Sequence, residues 1–266
     1  MSTPDSPLSN CRTPGFYKSP PDGAWLRTPL RALVDGLRRA LPQRCTLCTA
    51  AAGNRLVCAD CAAALPRVAT ACPRCALPTP GGAVCGRCLA APAPYEAVVA
   101  AYRYAFPVDR LLKALKYGGQ LAFAEWAAAG LVEALDARAP AAAADPRNPT
   151  VVALPLAPER QRQRGFNQAR EIARHAAREL GLELADVLAR RRGGVPQASL
   201  GWDQRRRNVR GAFVATGTLA GGSFALVDDV MTTGATLAEA AATLRRAGAA
   251  RVDCWVVART FPPALS

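Results

Sequence analysis

From residue 95 onward, short apolar runs alternate with stretches whose apolar residues recur every third or fourth position. Tyr95–Tyr104 reads as a strand ended by Pro107, and Val108–Tyr117 as a helix closed by Gly118 and Gly119. Leu121–Ala137 reads as an amphipathic helix, followed by an Ala/Pro loop over Ala139–Pro149. Val151–Leu154 is a strand of the buried type, and Asn167 caps a helix that runs to Leu180 before Gly181. Val187–Ala189 is a candidate short strand. Phe224–Val227 is a clear strand, Leu237–Ala247 a helix stopped by Gly248, and Val252–Ala258 a further strand. Strands that alternate with helices predict an α/β fold with a doubly wound, mainly parallel sheet.

The first third is patterned differently. Residues 1–30 hold Pro4, Pro7, Pro14, Pro20, Pro21 and Pro29 and read as a disordered leader. Leu30, Leu33, Val34, Leu37 and Leu41 fall at helical spacing and predict a short helix over Leu30–Leu41. A cysteine-rich module over 45–90 follows, then a Pro-rich linker, so the predicted organisation is leader and helix to residue 44, the module, and an α/β domain over 95–266.

Four CxxC pairs occupy the module: Cys45/Cys48, Cys58/Cys61, Cys72/Cys75 and Cys85/Cys88, separated by nine, ten and nine residues. A CxxC turn sets two sulfurs on one side of a tight knuckle, and two knuckles complete a tetrahedral zinc site of four cysteines. The near-equal gaps predict a duplicated zinc ribbon holding two structural zinc ions, with neighbouring pairs sharing a site, although an interleaved pairing satisfies the same spacing. Four thiolates leave no open coordination position for water. A segment this poor in large apolar side chains needs such a staple. Four tandem pairs have no reason to be redox centres. Cys11 lies in the leader, and Cys254 sits in an apolar strand as a core residue.

Composition adds charge to this picture. Of 34 basic residues only Lys18, Lys113 and Lys116 are lysine, and the formal net charge is +14. Eight zinc-bound thiolates and two zinc ions reduce it to +10, still favouring anionic partners. No apolar segment is long enough, free of charge, to suggest a signal peptide or membrane insertion, so the sequence predicts a cytoplasmic protein. Reduced thiols in that compartment favour metal over disulfides.

The sharpest chemical signal is Phe224-Ala-Leu-Val-Asp-Asp-Val-Met-Thr-Thr-Gly-Ala-Thr236. An apolar strand ends in two carboxylates, and a loop of small residues leads into a helix. Backbone N–H groups, the hydroxyls of Thr232, Thr233 and Thr236, and the helix N-terminus can surround a phosphate. Gly234 and Ala235 keep the loop small. Asp228 and Asp229 stand where ribose hydroxyls would be accepted. An ordinary capped helix behind two exposed acids is the competing reading, but it does not explain the whole string.

The string resembles the signature for phosphoribosyl pyrophosphate (PRPP) of type I phosphoribosyltransferases. Leu154-Pro155-Leu156, Arg160, Arg164-Gly-Phe-Asn-Gln-Ala169, Leu115-Lys116-Tyr117, Pro196-Gln-Ala-Ser-Leu200, Arg205-Arg-Arg-Asn-Val209 and Gly211-Ala-Phe213 narrow the resemblance to the ComF family. Leu154, where the family usually has valine, and the arginine-rich 190–192 are departures. The resemblance implies a type I phosphoribosyltransferase fold with Pro155 and Leu156 in a pyrophosphate loop. It makes Arg160 and Arg164 the cationic partners of that loop, unless they belong to a solvated basic loop. Phe166 is either packing or a stacking partner, and Gln168 faces the site. Residues 190–208 align with a mobile loop in which Arg205 and Asn208 contact the donor. His175 reads as a surface residue rather than a base. Mg²⁺ is expected to accompany PRPP.

Two functions follow from the resemblance. One is transfer of phosphoribose to an unknown acceptor with release of pyrophosphate, Asp228 and Asp229 being the catalytic acids. The other is a non-enzymatic PRPP sensor associated with single-stranded DNA in DNA uptake. Residues 45–88 contain no aromatic residue, so any DNA contact there is electrostatic. Cys11 lacks the setting of a glutaminase nucleophile, which argues against glutamine-dependent transfer.

Overall fold

Period-two alternation within the apolar strands feeds two cores at once. In the computed structural model, which describes residues 43–138, 148–191 and 210–262, four strands form one parallel sheet in the order β3-β8-β7-β4. These are β3 (Ala97–Arg103), β4 (Thr150–Ala153), β7 (Ser223–Met231) and β8 (Arg251–Arg259). Val99, Ala101, Ala225, Val227, Trp255 and Val257 point to one face, while Val98, Ala100, Leu226, Cys254 and Val256 point to the other. Cys254 is fully buried, as its apolar strand predicted.

Helices α3 (Val108–Gly118), α4 (Ala122–Arg138) and α6 (Gln168–Leu180) cover the first face, and α7 (Ala235–Arg246) the second. The helix expected at Leu121–Ala137 forms, but its amphipathicity is one of size more than polarity. Its buried stripe is Phe123, Ala124, Ala127, Ala128 and Leu131. The alanines let α4 and α6 approach closely, α6 offering Ala173, Ala176 and Ala177 in return. Asn167 caps α6 by accepting the Ala169 N–H at 3.0 Å, and Gly181 ends it in the left-handed region.

Two expectations need correction. The strand read as Phe224–Val227 continues to Met231, so both acids lie within β7, where backbone pairing with β8 carries on past the apolar run. Arg160 and Arg164, whose loop was the alternative reading, lie on a helix instead, α5 (Pro158–Arg164), begun by Pro158 at its first position, with Arg160 exposed to solvent. The short strand expected near Val187–Ala189 forms as β5 (Leu188–Arg190) and pairs antiparallel with β6 (Phe213–Ala215), which the sequence pattern does not announce. The pair flanks residues 192–209, which lie outside the described residues together with Arg205 and Asn208. The leader, Cys11 and the helix Leu30–Leu41 lie outside them too.

The cysteine module carries β1 (Gln43–Arg44), β2 (Ala51–Gly53), α1 (Ala59–Ala63) and α2 (Gly86–Ala90). Its sulfurs gather by neighbouring pairs, Cys45, Cys48, Cys58 and Cys61 in one group and Cys72, Cys75, Cys85 and Cys88 in the other, all within 4.8 Å of one another in each. Cys48–Cys58 and Cys75–Cys85 are 3.6 Å apart at sulfur, against the ~3.8 Å that a tetrahedron with ~2.3 Å Zn–S bonds requires. Backbone N–H groups of Leu47 and Cys58 point at the Cys45 sulfur, and that of Cys85 at Cys72. Burial pushes the Cys45 thiol up, but the Cys58, Cys48 and Leu47 amides outweigh it and hold it at about 6. Burial likewise opposes the Cys72 thiolate, and the Cys85, Arg74 and Cys75 amides bring it down to about 7. The two clusters therefore fit two structural zinc sites. Among the described residues no helix is long and apolar enough to cross a membrane.

The first cluster packs against the sheet beside Tyr102, whose ring stacks on Trp126 with centroids 5.4 Å apart and planes 8° apart. The Arg67 guanidinium lies 5.3 Å over the Tyr102 ring. Gly130, in the middle of α4, makes room for that ring: a Cβ there would come within 2.7 Å of its carbons. Gly130→Ala gains about 1 kcal/mol of helix propensity but overpacks a ring held by both Trp126 and Arg67. We expect a net loss of about 1–2 kcal/mol, read from denaturant unfolding. Metal analysis of protein purified under reducing conditions should give about two zinc ions per chain. A folded protein with none would contradict the assignment.

Candidate functional site

The carboxyl ends of parallel strands are where an open α/β sheet leaves a crevice. At that end β7 delivers Asp228 and Asp229, then Thr232, Thr233 and Gly234, and α7 begins at Ala235. The loop turns at Gly234, whose φ of 81° lies in the left-handed region. Space also demands glycine here, since a Cβ would lie 2.5 Å from Met231 Cε and 3.2 Å from the Tyr95 hydroxyl. Thr233 Oγ1 accepts the Ala235 N–H at 3.1 Å across the turn at Gly234. Thr232 is exposed and Thr236 half-buried. The first-turn amides of a helix have no partner within the helix.

The two acids are not equivalent. Asp228 is half-buried and its Oδ1 accepts the Asp229 N–H at 2.8 Å. Asp229 is 3% exposed, and its Oδ1 accepts the Val230 N–H at 2.8 Å. Its other oxygen lies 2.6 Å from Lys116 Nζ. Burial, and next the neighbouring Asp229 charge, push the Asp228 carboxyl well above the ordinary range, against the pull of Lys116. Burial opposes the Lys116 charge, but Asp229 and then Asp228 outweigh it and raise its pKa. Lys116 was part of the string Leu115-Lys116-Tyr117 but had no role in the sequence reading. The signal available was that only three of 34 basic residues are lysine.

Beyond β4, Pro155 and Leu156 line a cleft of about 770 Å³, with Gln161, Arg162, Gly165, Asn167, Arg170 and Arg190 among its other walls. Arg160 stands exposed on α5. Arg164 is turned inward instead, donating to Gln168 Oε1 and lying 5.4 Å over the Tyr117 ring. Gln168 is buried beneath it, and Phe166 is packing, set against the α3/α4/α6 core. Asn167 Nδ2 also donates to the Leu154 carbonyl at 3.0 Å, fixing the loop after β4.

Arg190 is the second residue that the sequence reading passed over. Burial lowers its pKa, the neighbouring Arg160 adds to this, and Asp228 opposes it. Arg190 thus lines the cleft within electrostatic reach of Asp228, Arg160 and Glu159, and its guanidinium lies 5.4 Å over the Phe213 ring. His175 sits mid-helix on α6 between Arg174 and Arg178, at 3.1 and 3.2 Å, with no site residue beside it.

Comparison with known proteins agrees with this geometry. Residues 36–89 match the double zinc ribbon domain, and residues 167–261 the phosphoribosyl transferase domain. DNA utilization protein YhgH of Escherichia coli strain K12 is 35% identical over 226 residues, covering 83% of this chain and 99% of that protein. The Salmonella typhi protein of the same name is 34% identical over the same shares. Competence protein F of Haemophilus influenzae is 31% identical over 180 residues, covering 66% of this chain and 78% of its own length. The crystal structure of TT1426 from Thermus thermophilus covers 54% of this chain and 85% of its own, at 21% identity and a TM-score of 0.31, too distant to add to this. With its two four-cysteine clusters in front of a phosphoribosyltransferase-type α/β fold, the chain belongs to the ComF family, alongside DNA utilization protein YhgH and competence protein F.

Proposed function

We propose that the chain binds PRPP and transfers its phosphoribosyl group to an acceptor, releasing pyrophosphate. The observation that carries this reading is the acid pair at the end of β7, running directly into a small-residue loop and the N-terminus of α7. In this reading the loop Thr232–Thr236 takes the 5-phosphate through backbone N–H groups and threonine hydroxyls. Asp228 accepts from a ribose hydroxyl, and Asp229 joins it once Lys116 shifts. Pro155, Leu156, Arg160, Arg164 and Arg190 surround the pyrophosphate.

The chemistry asks little of the protein beyond holding and charge. The bond from C1 to the pyrophosphate oxygen breaks, its electron pair leaves with pyrophosphate, and the acceptor supplies the pair for the new bond. The positive character that develops at C1 is met by the two carboxylates, and the negative charge on the departing group by the arginines and Lys116. Mg²⁺ entering with the donor would be met on the protein side by Asp228 or Asp229, and it would supply charge neutralisation of the leaving group.

The names of two relatives, DNA utilization protein YhgH and competence protein F, bring in DNA and support a second reading, a non-enzymatic PRPP sensor associated with single-stranded DNA. A net charge of +10 after counting zinc thiolates suits that partner.

The first reading predicts that Asp228→Asn with Asp229→Asn weakens PRPP binding by about 2–4 kcal/mol in calorimetry, the scale of losing charged hydrogen bonds. Unchanged affinity would sink it. Asp228→Asn alone should not lower the Tm at neutral pH. Folding raises this carboxyl's pKa, so its ionised form costs stability as pH climbs from the unfolded carboxyl range through the raised folded value, and asparagine is free of that cost. Lost affinity with an unchanged or higher Tm marks a binding role. The second reading predicts weak, sequence-independent binding of single-stranded DNA that persists in saturating PRPP and falls steeply with salt. Fluorescence anisotropy near physiological salt checks it. No binding at about tens of micromolar protein, a concentration within the range of ordinary non-specific affinity, leaves the transferase reading alone.

A further inference from the structure

Arg259, the last residue of β8, is a guanidinium buried to 1% exposure. Among the described residues no carboxylate pairs with it; its partners are backbone carbonyls. Its Nε donates to Cys75 O at 2.8 Å, and its Nη1 to Met231 O at 2.9 Å and Thr260 O at 2.8 Å, with Thr232 O also in reach. Cys75 belongs to the second four-cysteine cluster. Met231 and Thr232 are the residues by which β7 enters the phosphate loop. One buried cation therefore ties the backbone of the second zinc knuckle to the backbone of the loop.

Neighbouring contacts reinforce the tie. The Thr260 N–H donates to Met231 O at 3.0 Å, and Phe261 packs on the second cluster. Tyr95, close behind Cys88 in the chain, sets its hydroxyl against Gly234. The first cluster has a different neighbourhood: its buried cysteines belong to the core of α3, α4 and α6. Charge gives the tie a direction. A zinc ion with four thiolates carries a net −2, and a buried guanidinium without a carboxylate is a natural counter-charge to it. Without the metal the knuckle loses the bonds that fix the Cys75 carbonyl.

We propose that the second four-cysteine site is a metal-dependent brace of the phosphate loop, with Arg259 as the positioning residue, so that zinc in this site but not in the first sets the loop's grip on a phosphate ligand. This rests on the reading that the loop Thr232–Thr236 binds the phosphate of PRPP.

The test compares full-length Cys85→Ser/Cys88→Ser, Cys48→Ser/Cys61→Ser and Arg259→Lys with the parent chain. Zinc content, PRPP affinity by calorimetry and amide hydrogen exchange over residues 231–236 are read for each. Arg259→Lys keeps every zinc ligand and the charge but loses the fork that spans several carbonyls. We expect two zinc ions in Arg259→Lys, with PRPP affinity falling about tenfold or more, the scale of one or two bonds to a charged donor. Loop exchange should be faster there and in Cys85→Ser/Cys88→Ser, while Cys48→Ser/Cys61→Ser stays within about twofold of the parent. Equal losses in both cysteine variants would overturn the proposal, as would unaltered loop exchange in Arg259→Lys. If Cys85→Ser/Cys88→Ser does not fold, Arg259→Lys decides. If the parent chain binds no PRPP, the donor reading fails by itself, and the exchange data still decide whether the brace exists.

Discussion

Two adjacent carboxylates inside a central parallel strand are the constraint around which the rest of this fold is arranged. Burial and the neighbouring Asp229 charge both disfavour the ionised form of Asp228. The fold answers with specific partners: Lys116 from α3, the N–H groups of Asp229 and Val230, and the Arg190 charge nearby. None of these cations comes from the loop itself. The acids are held because β7 is paired on both sides up to Val227, by β8 and by β4, and with β8 through Asp228 and on to Met231.

Packing that rigid needs helices close to the sheet, and alanine provides it. Ala124, Ala127 and Ala128 on α4 meet Ala173, Ala176 and Ala177 on α6, while Leu111, Leu112 and Leu115 bring α3 down on the same layer. α3 matters most for the site. Its buried leucines set the register at which Lys116 reaches Asp229 and Tyr117 meets Arg164. A small shift of α3 would leave Asp229 buried without its cation, a far larger cost than the loss of one apolar contact.

Local pattern made most of the elements legible. Alternation in β3, β7 and β8, the caps at Asn167 and Gly181, and the CxxC spacing each contain their own explanation within a few residues. Near-equal gaps favour pairing of neighbouring cysteine knuckles, and the sulfur positions agree with it. The misses are of another kind. The strand expected to end at Val227 was bounded where apolarity stopped, but β7 continues because backbone pairing with β8, not side-chain burial, carries it through the acids. α5 is polar all round and gives no periodic signal. Lys116 and Arg190 join the site from 113 and 38 residues upstream of Asp229 and of Asp228, a proximity that only the tertiary fold creates. Arg259 reads as the end of an apolar strand, and nothing local announces that its charge is turned inward.

The cysteine module is best understood as the covering of an edge. β3 and β4 are the outer strands of the sheet, and an outer strand exposes unpaired backbone groups. Along β3 the stretch from Pro66 to Pro73, which runs from between the clusters into the first knuckle of the second, supplies the missing partners. Val68 N–H donates to Ala101 O at 3.1 Å, Arg103 N–H to Pro66 O at 2.7 Å, and Val98 N–H to Pro73 O at 2.9 Å. Arg138 clamps the same stretch, donating to Pro73 O at 3.0 Å and to Val98 O. At the other edge Val151 exchanges bonds with Glu183 and Ala185. A segment with so few large side chains could not hold this position by its own core, so the metal sites fix its shape and the sheet edge fixes its place. The ribbon and the phosphoribosyltransferase-type domain thus complete each other: one lacks a core, the other lacks an edge, and the backbone bonds along β3 satisfy both.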